Sequence, residues 1–312
     1  MAAPLNDRIA TLTLNPALDL ATETAELRPT EKLRCTAPQV DPGGGGINVA
    51  RVVRELGGDA VAVFPEGGAS GALIVELLRA AGVRCETVPI AGVTRESFSV
   101  TERATGLQYR FVLPGPGIDA SAGAALIDRV AALAPAWLVL SGSFPPDLPP
   151  DFTERLGATA RRVGARLILD TGTDLAAIGR ATGAWLIKPN RSELEAAAGG
   201  PLADRDAVAG AARSLIRSGA ARCVVVSLGA DGALFVDEQS DRHVPAPAVT
   251  PVSAVGAGDS MVAALTLALA RAVPIEDALR YGVAAGAAAL LTPGTGLVRR
   301  ADVERLAGEL PR

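Results

Sequence analysis

Histidine is almost missing from this chain: one residue, His243, serves 312 positions. A Ser-His-Asp triad would depend on it entirely, and its surroundings, SDRHVPAP, read as an exposed strand end, so serine-hydrolase chemistry is set aside. Cysteine is scarce too. Cys35, Cys85 and Cys223 lie far apart, without the short spacings of a metal site, and fit a reduced, cytoplasmic setting. Aromatic residues make up 3% of the chain and the formal net charge is -4. That removes both the stacking platforms and the positive footprint of a nucleic-acid binder. No apolar run reaches the ~20 residues that span a bilayer. The longest, Met261–Ala270 and Tyr281–Leu291, are broken by Thr or Gly. The start, MAAPLNDRIATLTLNP, has no basic segment followed by an apolar one, so no signal peptide is expected. Neither nucleic acid nor a membrane is expected as a partner.

Two nucleotide fingerprints are absent as well. There is no Gly-x-x-x-x-Gly-Lys-Ser/Thr. The run GGGGIN puts Asn48 where a dinucleotide loop needs its third glycine, after Asp41-Pro42, a poor end for a core strand. An NAD-dependent oxidoreductase is therefore a distant reading.

What the chain does have is a hydrophobic fraction of 49%, enough for one large α/β domain with a small appendage. Ile9–Leu14 and Ala60–Phe64 read as strands, Ile47–Leu56 as a helix, and Ser70–Ala81 as a helix with Ser70 as N-cap. Ser97–Thr101 and Tyr109–Leu113 alternate apolar and polar residues around an Ala104-Thr105-Gly106 turn, the pattern of a hairpin with one wet face. With a further strand at Lys32–Ala37 they suggest a small antiparallel sheet outside the main domain. Beyond residue 120, short apolar runs at Trp137–Leu140, Leu167–Leu169, Trp185–Ile187 and Cys223–Val226 alternate with helices at Ala120–Ala132, Asp151–Arg162, Ser192–Ala198 and Ala207–Arg217. That rhythm argues for an open, mostly parallel sheet covered on both faces. Asp259–Arg271, Ile275–Leu291 and Ala301–Leu310 close the chain as helices.

In such sheets, ligands bind beyond the carboxyl ends of the strands. Val255-Gly256-Ala257-Gly258-Asp259-Ser260 opens an apolar helix. Glycines there can turn amides toward one point, the helix dipole adds positive charge, and Asp259 is placed to take a proton from a hydroxyl. Asp19, after the first strand, is either a turn residue or a ligand for two sugar hydroxyls. Gly43–Gly46 permit close approach of the backbone to a ligand, with Asn48 beside them. Arg95 opens the hairpin and suits a phosphate; Ser141-Gly142-Ser143 ends a strand. Lys188-Pro189-Asn190-Arg191-Ser192-Glu193 has the spacing of a capping box and, equally, of groups around a nucleotide with its hydrated Mg²⁺. Ser227-Leu228-Gly229-Ala230-Asp231-Gly232 is a turn between strands or a seat for a nucleotide.

In this order the pieces resemble the ribokinase-like sugar kinases over nearly the whole chain. GGGGINVARVVRELGG and VGAGDSMVAALTLAL look like the two signatures of that family, the second specific when it follows KPN-x-x-E and SLGxxG. TLTLNPALD, EKLRCTAP and LQYRF are similar to the phosphofructokinase B branch and, within it, to the minor bacterial 6-phosphofructokinases. The resemblance implies an α/β, three-layer αβα ribokinase-like fold, one kinase domain over 1–312, with a β-sheet lid from about 22–42 and 89–113 that also makes a homodimer contact. It implies Asp259 as base with Gly256, Ala257 and Gly258 as anion hole. Asp19, Gly43, Gly44 and Asn48 would hold the sugar, Arg95 and Ser143 its phosphate, and Lys32, with Arg34, would extend toward phosphates. Lys188, Asn190, Glu193, Ser227, Gly229 and Gly232 would line the ATP site, with Glu193 reaching Mg²⁺ through water. Ser253, Val255, Ala289, Thr292, Gly294 and Gly296 would form a K⁺ loop; Gly296 stands where relatives often carry Arg, so only its carbonyl remains. The implied reaction is ATP-dependent phosphorylation of fructose 6-phosphate at C1, a step of glycolysis. Kinases of fructose 1-phosphate or tagatose 6-phosphate are the near alternatives; they usually carry Lys at the position of Gly45. A non-catalytic sugar-phosphate sensor is the alternative of another class, and it would have no need of Asp259.

Overall fold

The computed structural model describes residues 8–294 and 296–311. Short apolar runs make its core strands. Ile9–Leu12 (β1), Ala60–Glu66 (β4), Arg84–Pro89 (β5), Trp137–Ser141 (β8), Arg166–Asp170 (β9), Ala184–Ile187 (β10) and Ala221–Ser227 (β11) pair in parallel. Ala233–Val236 (β12) and Asp241–Val244 (β13) add an antiparallel edge. Among the described residues the sheet runs β13-β12-β11-β10-β9-β8-β1-β4-β5.

Strand periodicity divides the core in two. Trp137 and Val139 of β8 face one helical layer, and Leu138 and Leu140 face the other. The first layer is Gly45–Glu55 (α1), Gly68–Ala80 (α2), Ala257–Ala270 (α8), Ile275–Ala289 (α9) and Arg300–Glu309 (α10). The second is Ala120–Leu133 (α3), Phe152–Val163 (α4), Leu175–Thr182 (α5), Arg191–Ala198 (α6) and Arg205–Arg217 (α7). This is the three-layer αβα arrangement expected from the sequence. Helix α8 is apolar nearly all round because it is enclosed: every residue from Ser260 to Ala268 is buried.

A separate sheet contains Ala17–Thr24 (β2), Gln39–Gly43 (β3), Arg95–Glu102 (β6) and Gln108–Val112 (β7), ordered β3-β2-β6-β7. The hairpin β6–β7 is antiparallel as expected, but β2 and β6 are parallel. The strand expected at Lys32–Ala37 does not form. Those residues are irregular and mostly exposed, tied back where Thr36 N–H donates to the Glu23 carbonyl (2.9 Å). Pro38, without an N–H, ends that stretch, and pairing resumes at Gln39. The sheet therefore starts at Ala17, earlier than the expected segment, and Pro42 is tolerated because β3 is an edge strand. Ser70 does not cap α2 either. Helix α2 starts at Gly68, and Thr94 satisfies Gly67 by donating its N–H to the carbonyl (2.9 Å) while its Oγ1 accepts from the amide (3.1 Å). Ser70 Oγ instead donates to Glu96 of β6 (2.9 Å), fastening the helix to the second sheet.

Candidate active site

The site forms where the two sheets meet. The chain leaves β1 and enters the second sheet at β2, then returns from β3 directly into α1. This brings residues from both sheets to the carboxyl ends of β1, β8, β9 and β10.

Asp259 sits in the first turn of α8. The N-cap is Gly256 at φ 74°, a conformation that glycine adopts without strain, and no side chain caps the helix. The leading amides around Gly256, Ala257 and Gly258 are thus open to an anion. Asn48 Nδ2 donates to Asp259 Oδ2 at 2.8 Å. Burial, with the Asp170 carboxylate nearby, pushes the Asp259 pKa from 3.8 up to about 7, against the opposing Asn48 bond and Lys188. Lys188 is buried and pairs with Asp170 Oδ1 at 3.0 Å, while Ser141 Oγ donates to Asp170 Oδ2 at 3.0 Å. Burial works against the Lys188 charge, yet Asp170, Glu193 and Asp259 hold its pKa above the usual lysine range. Its ammonium lies 3.7 Å from where a Cβ on Gly258 would be, beside the α8 amides.

At the other end Asp19 of β2 lies over Gly43, where any side chain would strike its carboxylate. Burial raises the Asp19 pKa to about 6, with Arg95, Arg110 and Arg51 opposing and Asp41 adding. Arg95 Nε donates to Asn15 Oδ1 (3.0 Å), Nη1 to Ser97 Oγ (3.0 Å), and Nη2 to the Asn15 carbonyl (3.2 Å). Asn15 Nδ2 donates to Ser143 Oγ (3.1 Å), so Arg95, Asn15 and Ser143 form one cluster.

At the β10 and β11 ends, Asn190 and Glu193 form the capping box of α6: Glu193 N–H donates to Asn190 Oδ1 (2.9 Å) and Asn190 N–H to Glu193 Oε2 (2.8 Å). Glu193 Oε1 faces Gly172, just past β9. Ser227 N–H donates to the Pro189 carbonyl (3.0 Å) and bridges to Asn190, which sets the two loops side by side. Gly229–Asp231 is a single 3-10 turn closed by Gly232, and His243 Nε2 shares a 2.7 Å hydrogen bond with the Asp231 carbonyl. Across α8, Ser253 Oγ donates to the Gly294 carbonyl (3.0 Å) and Val252 N–H to the Leu290 carbonyl (2.7 Å). Ser253 and Val255 are thereby held against the segment carrying Ala289, Thr292, Gly294 and Gly296.

The structure brings together Asp19, Gly43, Gly44, Asn48, Arg95, Ser143 and Asp259, with Lys188 and Glu193 in electrostatic reach of one another. Lys32 and Arg34 stand exposed in the β2–β3 connection, and among the described residues no hydrogen bond or ion pair joins them to the site. Sequence reasoning missed Asn15, Asp170 and Arg51. Asp170 is the last residue of β9, so the strand-end rule applied there would have found it. Asn15 follows β1 in the same way. Nothing in the sequence marks Arg51.

A carboxylate seated at an open helix terminus, between a cluster suited to a sugar phosphate and loops suited to a nucleotide, on a three-layer α/β domain with a second small sheet, defines a kinase of the ribokinase-like fold. Ribokinase from Arabidopsis thaliana shares that fold, with TM-score 0.78 at 21% identity over 96% of this chain and 98% of that one. The chain belongs to the pfkB family of carbohydrate kinases, whose model matches residues 13–301. It is 48% identical to ATP-dependent 6-phosphofructokinase isozyme 2 of Mycobacterium tuberculosis, over 96% of this chain and 88% of that protein. It is 44% identical to the isozyme 2 enzyme of Escherichia coli, over 98% and 99%. Phosphofructokinase-2 from Escherichia coli, solved with fructose-6-phosphate, superposes with TM-score 0.91 at 43% identity, over 98% of this chain and 99% of that one. A potassium complex of the same enzyme gives TM-score 0.93 at 44% identity, over 98% and 99%.

Proposed function

We propose that this chain is an ATP-dependent 6-phosphofructokinase, which phosphorylates the C1 hydroxyl of fructose 6-phosphate to give fructose 1,6-bisphosphate in cytoplasmic glycolysis. One observation carries the reading: Asp259 is held by Asn48 at an uncapped helix terminus, with Asp19 and Arg95 on one side and Lys188 and Glu193 on the other.

Asp19, the Gly43 and Gly44 backbone and Asn48 bind the sugar hydroxyls. Arg95, Ser143 and the newly identified Asn15 bind the 6-phosphate, a planar guanidinium being well matched to it. Asp259 accepts the proton of the C1 hydroxyl as that oxygen attacks the γ-phosphorus, and the bond from phosphorus to the ADP oxygen breaks. A base with pKa near 7 suits proton transfer at neutral pH. The amides at Gly256, Ala257 and Gly258 stabilise the charge that develops. Lys188, Asn190, Glu193, Ser227, Gly229 and Gly232 hold the nucleotide.

The donor set fits a hydrated Mg²⁺. Among the described residues no three acidic, histidine or cysteine side chains form a cage, and Asn190 and the Oε1 side of Glu193 offer oxygens to ion-bound water. Bound with ATP, Mg²⁺ neutralises the phosphate charge. The carbonyls near Ser253, Val255, Ala289, Thr292, Gly294 and Gly296 fit K⁺, which binds readily to backbone oxygens. The second sheet serves as lid and, through the exposed Tyr109 and Phe111, as the contact of a homodimer.

Purified protein assayed with ATP and Mg²⁺ against fructose 6-phosphate, fructose 1-phosphate and tagatose 6-phosphate tests the assignment. The highest kcat/KM is expected on fructose 6-phosphate. Turnover confined to another sugar reassigns the substrate, and binding without turnover on all three identifies a sensor.

A further inference from the structure

Arg51 is the arginine of α1 that turns inward: its side chain is 17% exposed, whereas Arg54 on the same helix is exposed. Three acceptors hold its guanidinium. Nη2 donates to Asp41 Oδ1 (3.0 Å), and Nη1 to the Pro42 carbonyl (2.9 Å) and to Asn48 Oδ1 (3.4 Å). The first two belong to β3 of the second sheet, and the third lies one turn back on α1. Asn48 then donates its other end, Nδ2, to Asp259. A continuous series of polar contacts thus runs from the edge strand of the second sheet to the carboxylate at α8.

The chemistry of an amide side chain makes this order matter. Its two ends are alike in shape and opposite in polarity: one accepts and the other donates. Reversed, Asn48 would turn its oxygen on the Asp259 carboxylate and its NH₂ group on a guanidinium, losing both contacts and adding two repulsions. Arg51, which can only donate, therefore fixes which end of Asn48 faces the carboxylate.

We propose that Arg51 is a positioning residue of the reaction: it holds Asn48 with the amide nitrogen toward Asp259 and makes that orientation depend on β3 being docked. The inference rests on Asp259 acting as the base. It explains why an arginine is kept half-enclosed beside a sugar site without touching the reacting atoms, and why Asp41 faces it from the strand that leads into Gly43. It also means that seating the sugar against β2 and β3 and readying the base are one event.

The groups facing Asp259 are Asn48 from α1, Asp170 from β9, Lys188 after β10 and Asp19 from β2. Of these, Asn48 takes its orientation from Arg51 and Asp19 feels the Arg51 charge. Substitution at 51 should therefore reach kcat through Asn48 and the KM of the sugar through Asp19.

The test is a kinetic cycle on the purified enzyme with fructose 6-phosphate and MgATP. Arg51→Met keeps the length of the aliphatic stem. It is expected to lower kcat about 5- to 10-fold, the worth of one oriented hydrogen bond, with KM for ATP unchanged. The acid limb of kcat, read with the sugar bound, should move to higher pH, because the Asp259 carboxylate loses its donor. In an Asn48→Ala background the same substitution should lower kcat less than twofold further. Equal losses in both backgrounds would mean that Arg51 merely braces the fold, and would overturn the proposal. Asp41→Asn, which leaves Arg51 in place, gives the second reading if Arg51→Met does not fold: a smaller fall in kcat with the same shift of the acid limb is expected, and no change in either overturns the proposal. A wild-type enzyme without turnover on any sugar phosphate would remove the functional assignment and this inference together; normal wild-type turnover with additive effects removes this one alone.

Discussion

A carboxyl group whose pKa in the folded protein is about 7 is held there at a cost. In the unfolded chain Asp259 ionises near 3.8. Between those values the folded state keeps a proton that the unfolded state releases, so stability falls as pH rises from about 4 to 7 and levels above it. At about 1.36 kcal/mol per pKa unit the penalty at pH 8 is on the order of 2–4 kcal/mol. Asp259→Asn removes it and keeps an acceptor for Asn48. The ligand-free variant is expected to melt several degrees above the wild type at pH 8, with the difference vanishing near pH 4, in paired thermal scans across that range. Its kcat should fall about 10²- to 10⁴-fold, the usual loss for a general base. Full turnover would remove the assignment of Asp259, and equal melting at pH 8 would remove the account of its pKa. In the wild type kcat/KM should decline below pH 7, as the base becomes protonated.

At the scale of elements, the glycine run before α1 carries a lesson about close approach. Four glycines look like room for a ligand, and at Gly43 and Gly45 the structure fills that room with the protein itself: the Asp19 carboxylate and the Ser141 hydroxyl. A methyl group at residue 45 would strike Ser141 Oγ, which donates to Asp170, and the backbone amide of Gly142. Gly45→Ala is therefore expected to destabilise the protein by about 1–3 kcal/mol, as overpacking does, and to lower kcat/KM. A melting temperature and a turnover equal to the wild type would contradict this. The capping box of α6 was legible because both its halves lie within four residues. The start of α2 was not, because Thr94, distant in sequence, decides it.

For the whole molecule, the second sheet is the part least finished within one chain. Along and beside β7, Leu107, Tyr109, Phe111, Val112 and Leu113 are all exposed, a row of large apolar groups that water solvates poorly. On the homodimer reading a second copy covers them. Phe111→Asp is then expected to give a monomer in sedimentation or light-scattering measurements. Its KM for fructose 6-phosphate should rise, since Asp19 and Arg95 lie on neighbouring strands of the same sheet. A variant that remains dimeric would place the contact elsewhere.

The residue pattern alone was enough for the αβα layering, because strands buried on both faces must be continuously apolar and helices on a sheet must carry an apolar stripe. It also determined where the open helix terminus at Gly256–Asp259 lies, since glycine and acidic residues at a helix start are local features. Asn15 and Asp170, standing at strand ends, were open to the strand-end rule, but only the folded chain set β2 beside β6 in parallel. It alone turned Arg51 inward. Those outcomes depend on which distant segments meet, and the pairing of a polar side chain leaves no periodic mark in the chain that bears it.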